Sequence, residues 1–424
     1  MTEPTYLTAR EAAARLGVRP QTLYAYVSRG LIRSETASGR LRRYHAEDVA
    51  VLLRKRDAGA VAETALSFGA PVLESAITLI HDGRLYYRGQ DATFLARHAS
   101  IRAVAALLWQ ADATTLFAVD NLPPEGAAQA IAGRALAGLA PIERCLALLP
   151  VAAAADLRSL DLAPGAVART GARILRLLTA ITAGVAASPR PIDAVLAAAW
   201  TVRPAMRPLI RAALILCAEH ELNVSAFAAR CVASALASPY NAVIAGLSAL
   251  QGSRHGGASE RADAFLAEAL ASADPAALAA AYLRRGERLP GFGHHLYPRT
   301  DPRAELLLDL MDEHRAPLIG PGRRIAAAAT ALIGRAPNID FALALLRHSL
   351  ALPQGAALAL FAIGRSIGWL AQAQEQYAAD RLIRPRARYV GPPASHDPAS
   401  GEGPETPNRL GLNLGKTHAR QGDV

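Results

Sequence analysis

From about residue 100 to residue 388 the chain is a succession of helical periods of Ala, Leu, Val and Ile, interrupted by Pro and Gly. That pattern confines most of the chain to an all-α fold. One hairpin-like region precedes it over residues 76–91, around the turn Asp82-Gly83. The 424 residues are 52% hydrophobic, enough for one large or two to three ordinary domains with a sizeable core. We find no run of about 18 uncharged apolar residues, so no membrane span is expected. Met1-Thr2-Glu3-Pro4 has no apolar stretch of the secretory kind. Cys145, Cys217 and Cys231 form no Cys-x-x-Cys pair and no metal spacing, and read as reduced thiols of a cytoplasmic protein. From Gly391 the composition turns polar and rich in Pro, Gly and Ser, and a disordered tail over 391–424 is expected.

The charge is uneven. Residues 1–56 carry 11 Lys/Arg against 5 Asp/Glu, a net of +6, whereas the other 368 carry 35 against 31, a net of +4. A basic segment attached to a nearly balanced body points to nucleic acid at the N-terminus alone. Thr8 caps a predicted helix over Ala9–Val18, with Glu11 three residues on and Gly17 at its end. A second helix starts near Pro20 and stops at Gly30; Leu31-Ile32 and Arg40 to Tyr44 read as a two-strand wing, and another helix begins at His45. The frame of Thr8, Glu11, Leu16-Gly17-Val18, Thr22-Leu23-Tyr24, Gly30-Leu31-Ile32 and Arg42-Arg43-Tyr44 resembles a MerR/excisionase-type winged helix-turn-helix. On that resemblance Arg19, Gln21, Thr22, Tyr24 and Tyr26 face a DNA major groove, and Arg40, Arg42 and Arg43 neutralise phosphates. The alternative is a helical module that serves packing or dimerisation. An Ala/Gly-rich joint over 57–69 leads into the body.

Four stretches of the body carry polar chemistry. Glu219-His220-Glu221-Leu222-Asn223-Val224-Ser225 opens a helix. In Arg254-His255-Gly256-Gly257 a histidine abuts two glycines before a helix, whose N-terminus disfavours imidazolium and would keep His255 neutral. Gly291-Phe292-Gly293-His294 runs on to Asp301-Pro302-Arg303, so that glycines allow close backbone approach, the histidine moves or shares a proton and the arginine clamps a carboxylate. Asn338-Ile339-Asp340-Phe341 puts an acid in the first turn of an apolar helix, where the dipole would keep it ionised. Taken singly, each has a structural use: His220 as a core histidine, His255 as a turn marker, Asp340 as a cap, Arg365 as a buried ion-pair partner, Arg384 as part of a solvated basic turn.

Together and in order, these stretches resemble the citrate synthase family, from Ala62-Glu63-Thr64 and Tyr87-Arg88-Gly89 through Ile363-Gly364-Arg365, Gly368-Trp369 and Arg384-Pro385-Arg386, over residues 60–391. The resemblance implies a large and a small helical domain, the small one near 256–340, in a body of residues 60–390. It implies condensation of acetyl-CoA with oxaloacetate to citrate and CoA, with Asp340 as base, His255 donating to the thioester oxygen and His294 to the oxaloacetate carbonyl. His220, Arg303, Arg365 and Arg384 become substrate contacts, Arg384 reaching across a homodimer interface. No metal or tightly held cofactor is implied; CoA enters as the thioester substrate. Arg254, Ser259, His295 and Pro298 depart from the usual pattern and bear on CoA affinity and acyl choice. Alternatives are a DNA-binding regulator that uses the body as a metabolite sensor, and a 2-methylcitrate synthase taking propionyl-CoA.

Overall fold

The computed structural model describes residues 6–36, 42–53, 73–124, 136, 138–387 and 389–391. It forms two compact units, Met1–Glu74 and Ser75–Val424. The joint over 57–69, the Ala62-Glu63-Thr64 motif and the tail beyond Gly391 lie outside the described residues.

In the first unit Thr8 caps the helix Ala9–Leu16, and Glu11 returns a bond of 2.8 Å to the Thr8 backbone N–H, closing a capping box. Gly17 ends that helix in the left-handed region, and Pro20 opens the next helix, Pro20–Ser28. The wing differs from the sequence reading. Its strands are Ser34–Thr36 and Arg42–His45, and Tyr6–Thr8 pairs with the other edge of Arg42–His45 to make a three-stranded antiparallel sheet. Leu31-Ile32 is not a strand, because Ile32 drops into the small core with Leu7, Leu16, Leu23 and Tyr44. Arg33 holds Asp48 through Nε and Nη2 at 2.9 and 2.8 Å, tying the wing to the helical stretch from residue 46.

Among the described residues, the elements of the second unit are helices apart from the hairpin Thr78–His81 and Arg84–Tyr87 and the two-residue strand Gln90–Asp91. Its axis is the helix Ala356–Ala379, against which the helices Pro164–Ala183, Arg207–Leu216, Val224–Ser234, Pro239–Leu250, Gly256–Ala271 and Ile339–Ser349 pack. This helix is long and apolar enough to cross a membrane by length and mean hydropathy, but Arg365 interrupts its apolar run and it is buried within the fold, as a core helix is. Two glycines explain how closely it packs. A Cβ at Gly364 would lie 2.4 Å from the Leu214 carbonyl oxygen, and one at Gly368 would lie 2.4 Å from that of Ala218. Glycine inside a helix costs about 1 kcal/mol relative to alanine. Here that cost admits the 214–220 backbone, and Gly368 N–H donates to Ala218 O at 2.9 Å. The hairpin braces the same segment from its other side: the Tyr87 hydroxyl donates to Ile215 O at 2.9 Å and accepts from Glu219 N–H at 3.3 Å. Residues 214–220 are thus fixed on both sides, and His220 with them.

Candidate active site

His220 is buried, and Glu221, the next residue, sits at φ 57°, a conformation costly for a side-chain-bearing residue. The turn is held by Glu219, whose carboxylate accepts from Glu221 N–H at 2.8 Å, from Gln372 Nε2 at 3.2 Å and from the Thr78 hydroxyl. Glu219 is fully buried; burial pushes its carboxyl up against the opposing pull of Arg365. Asn223 caps the following helix, Val224–Ser234, and places Ser225 in its first turn.

Ser225 Oγ meets His255 Nε2 at 2.8 Å, accepts from Trp369 Nε1 at 3.1 Å and lies 2.8 Å from Asn223 Oδ1. His255 is the N-cap of Gly256–Ala271, as the sequence suggests. Burial first, and then the Arg365 charge, push the imidazole down to about 4, so it is neutral at pH 7.

The glycine loop and the acid-bearing helix form one piece. Gly291 and Gly293 have φ of 83° and 78°, which glycine alone adopts freely. The loop then pairs with residues 336–338: Gly293 N–H to Ala336 O at 2.8 Å, Asn338 N–H to Gly291 O at 2.9 Å and Asn338 Nδ2 to Gly293 O at 3.0 Å. Asn338 also caps the helix Ile339–Ser349 through Asp340 N–H at 3.0 Å. His294 and Asp340 therefore rise from the same zipped pair of segments.

His294 lies 5.0 Å from the His220 ring and 5.0 Å from the Tyr297 ring, and His220 Nε2 is 3.0 Å from the Tyr297 hydroxyl. Leu296 N–H donates to His294 Nδ1 at 3.1 Å, so the neutral ring keeps its proton on Nε2. Burial, then Arg303, bring His294 down to about 4; burial, Arg303 and His294 hold His220 well below the usual histidine range. Three neutral imidazoles thus share a strongly basic neighbourhood.

Asp340 departs from expectation. It is not the cap, and its carboxyl is raised rather than held low by the helix dipole: burial outweighs the help of Ser259, which donates to Oδ1, and of Arg303. Arg303 is 2% exposed and gives Nε and Nη2 to Asp301 at 2.9 and 2.8 Å. Burial opposes its charge, but Asp301 more than compensates, and Asp301 also accepts from Ile339 N–H at 3.1 Å. Arg365, 1% exposed, gives Nε to Cys217 O at 2.8 Å and lies 4.7 Å above the Phe361 ring. Its Nη2 is buried with no hydrogen-bond partner among the described residues. A buried guanidinium arm left unpaired is costly, and an anionic ligand supplies what it lacks. Arg384, unlike these groups, is exposed, on the irregular segment after the last helix. Tyr297, Asp301 and Glu219 are site members that the sequence reading gave no role; each lies one to three residues from a singled-out histidine or arginine.

A mostly helical body thus gathers buried arginines, neutral imidazoles and the buried carboxyl groups of Glu219, Asp301 and Asp340. A family model described as citrate synthase, C-terminal domain, matches residues 66–386, and the chain belongs to the citrate synthase family. A model described as a helix-turn-helix domain matches residues 6–57. Citrate synthase 2 of Bacillus subtilis is 40% identical over 188 residues, covering 42% of this chain and 50% of that protein. The 2-methylcitrate synthase of Shewanella oneidensis is 36% identical over 184 residues, covering 42% and 49%. The chain spans about half the length of the curated relatives it matches. The crystal structure of citrate synthase from Thermotoga maritima aligns with TM-score 0.64 and 26% identity over 78% of this chain and 96% of that one. That from Pyrobaculum aerophilum gives 0.66 and 26% over 78% and 93%.

Proposed function

We propose that the chain condenses acetyl-CoA with oxaloacetate and hydrolyses the resulting thioester, releasing citrate and CoA. The observation that carries this reading is the convergence of one carboxylate, neutral histidines and a buried arginine with an unpaired arm. Asp340 takes a methyl proton from the acyl thioester, and its raised affinity for protons suits a base facing a weak carbon acid. His255 donates to the thioester oxygen as the enolate forms. Donation from Nδ1 requires Nε2 to accept from Ser225, whose one hydroxyl proton must then point to His255 rather than to Asn223. The enolate carbon attacks the ketone of oxaloacetate, whose oxygen is polarised by His294 Nε2–H. Neutral donors at both oxygens avoid placing two more charges beside Arg303 and Arg365.

Arg365 Nη2 and the Nη1 arm of Arg303, which Asp301 does not hold, bind the oxaloacetate carboxylates, with His220 beside them. Arg384 completes the site from the partner subunit of a homodimer. Acetyl-CoA is the favoured thioester; the Shewanella relative keeps propionyl-CoA as the second reading. Closure of a small domain near residues 256–340 over the substrates would exclude water. The three unpaired thiols fit a cytoplasmic location. The test is CoA-thiol release from acetyl-CoA and from propionyl-CoA in the presence of oxaloacetate. Release with acetyl-CoA supports the reading, a preference for propionyl-CoA turns it to 2-methylcitrate synthesis, and no release with either overturns it.

The N-terminal unit supports a second role, binding of double-stranded DNA. Arg19, Gln21, Thr22 and Tyr24 are exposed on the Pro20–Ser28 helix or at its cap, with Tyr24 51% exposed. Gln21, Tyr24 and Ser28 lie on the face away from buried Leu23, while Arg42 and Arg43 are exposed on the wing strand. Duplex binding by the full chain should weaken steeply with salt, and Arg42→Ala with Arg43→Ala should reduce the slope of log affinity against log salt by about two. No binding at low salt would remove this role.

A further inference from the structure

The bond from Ser259 to Asp340 has no part in the steps above, yet it joins two of their actors. Ser259 lies one turn into Gly256–Ala271, the helix that His255 caps, and its side chain is buried, with the residue 3% exposed. A serine inside a helix commonly returns its hydroxyl to the carbonyl four residues back, here that of His255. Instead its hydroxyl crosses to Asp340 Oδ1 in the first turn of Ile339–Ser349. Those two helices pack directly on each other. One hydrogen bond therefore spans from the helix carrying the enolate donor to the helix carrying the base. Among the described residues it is the side-chain hydrogen bond that Asp340 receives.

We propose that Ser259 is the positioning residue of the base: it holds Asp340 Oδ1 and leaves Oδ2 as the atom that receives the substrate proton, in fixed register with His255. The proposal rests on the proton abstraction described above and extends it to a residue that acts through Asp340. In the step, the methyl C–H bond breaks, its electron pair enters the enolate, and the proton passes to Oδ2; Ser259 keeps its proton throughout. The bond also favours the ionised carboxylate. The charged groups that face Asp340 are Arg303 and Arg261, which favour the same form, and Asp301, which opposes it. Serine suits the place because its short side chain offers a single donor while the helix remains intact.

The test uses the full chain with 13C-labelled aspartate carboxyls, the Asp340 signal being the one lost in Asp340→Asn. In Ser259→Ala its titration midpoint should move up by about one unit, and Ser259→Thr, which keeps the hydroxyl, should return it. In parallel kcat should fall about 10-fold in Ser259→Ala, with its acid limb displaced upward by the same shift and KM for oxaloacetate unchanged. A midpoint unmoved in Ser259→Ala overturns the proposal whether or not the protein is active, as does a raised KM with an unshifted limb. A shifted midpoint in a wild type that releases no thiol overturns the condensation reading and leaves the placement of the carboxylate supported.

Discussion

Replacing His294 by glutamine and acidifying the protein tests the electrostatics of the site without relying on turnover. The ring is pushed down to about 4 when folded, against 6.5 for an ordinary histidine, because it is largely withdrawn from water beside Arg303. Its folded value is depressed, so its contribution to stability is complete above 6.5 and is lost as pH falls from there towards 4. Between about pH 7.5 and about pH 5 the unfolded chain takes up this proton and the folded one does not. Linkage then removes about 2 kcal/mol of stability for this histidine, and water at the cleft lowers that towards about 1 kcal/mol. His255 has the same depression and contributes a similar loss. Urea unfolding of wild type and His294→Gln at the two pH values gives the double difference directly. The variant should lose about 1–2 kcal/mol less than wild type on acidification. Equal losses would mean that His294 titrates normally in the folded protein, and the assignment of neutral donors would fail.

Three other outcomes follow from the geometry. Arg365→Ala should weaken oxaloacetate binding by about 10²-fold in calorimetry, and Arg365→Lys should not restore it, because an ammonium cannot both reach Cys217 O and present a second arm; an unchanged affinity would remove Arg365 from the carboxylate site. Gly368→Ala places a methyl 2.4 Å from Ala218 O and should cost about 1–3 kcal/mol in urea unfolding, with oxaloacetate binding weakened through displacement of His220. Asp340→Asn should raise the unfolding temperature: the folded carboxyl binds its proton more tightly than the unfolded one, so its charge opposes folding at neutral pH. A lowered unfolding temperature would mean that the carboxylate supports the fold.

What the sequence showed of this protein, and what it hid, divide along a physical line. Helical periodicity, the Thr8–Glu11 capping box and the Asp82-Gly83 hairpin are local, and the structure holds all of them. The groups His220, His255, His294, Asp340 and Arg303 were visible because each sits at a glycine turn or helix start that breaks an apolar pattern, and Arg365 because it is a lone charge in an apolar stretch of helix. The partners of these groups were not visible. Tyr297 reaches His220, and Thr78 reaches Glu219, only after distant segments dock. The raised proton affinity of Asp340 was not visible, because a helix dipole is legible in sequence whereas the burial that outweighs it is a tertiary property. Ile32 likewise looked like strand, but its burial against Leu7 and Tyr44 puts it in the turn before the wing. Arg384 stands on an exposed segment, so a role in the site depends on a second copy of the chain.

The most direct test of the central claim is CoA-thiol release from acetyl-CoA and oxaloacetate, measured side by side for wild type and Asp340→Asn. The account predicts turnover by the wild type and a loss of about 10²–10⁴-fold in the variant, with a folded protein that still binds oxaloacetate. Equal rates in the two proteins would contradict the assignment of Asp340 as the base, and a wild type without thiol release would contradict the condensation itself.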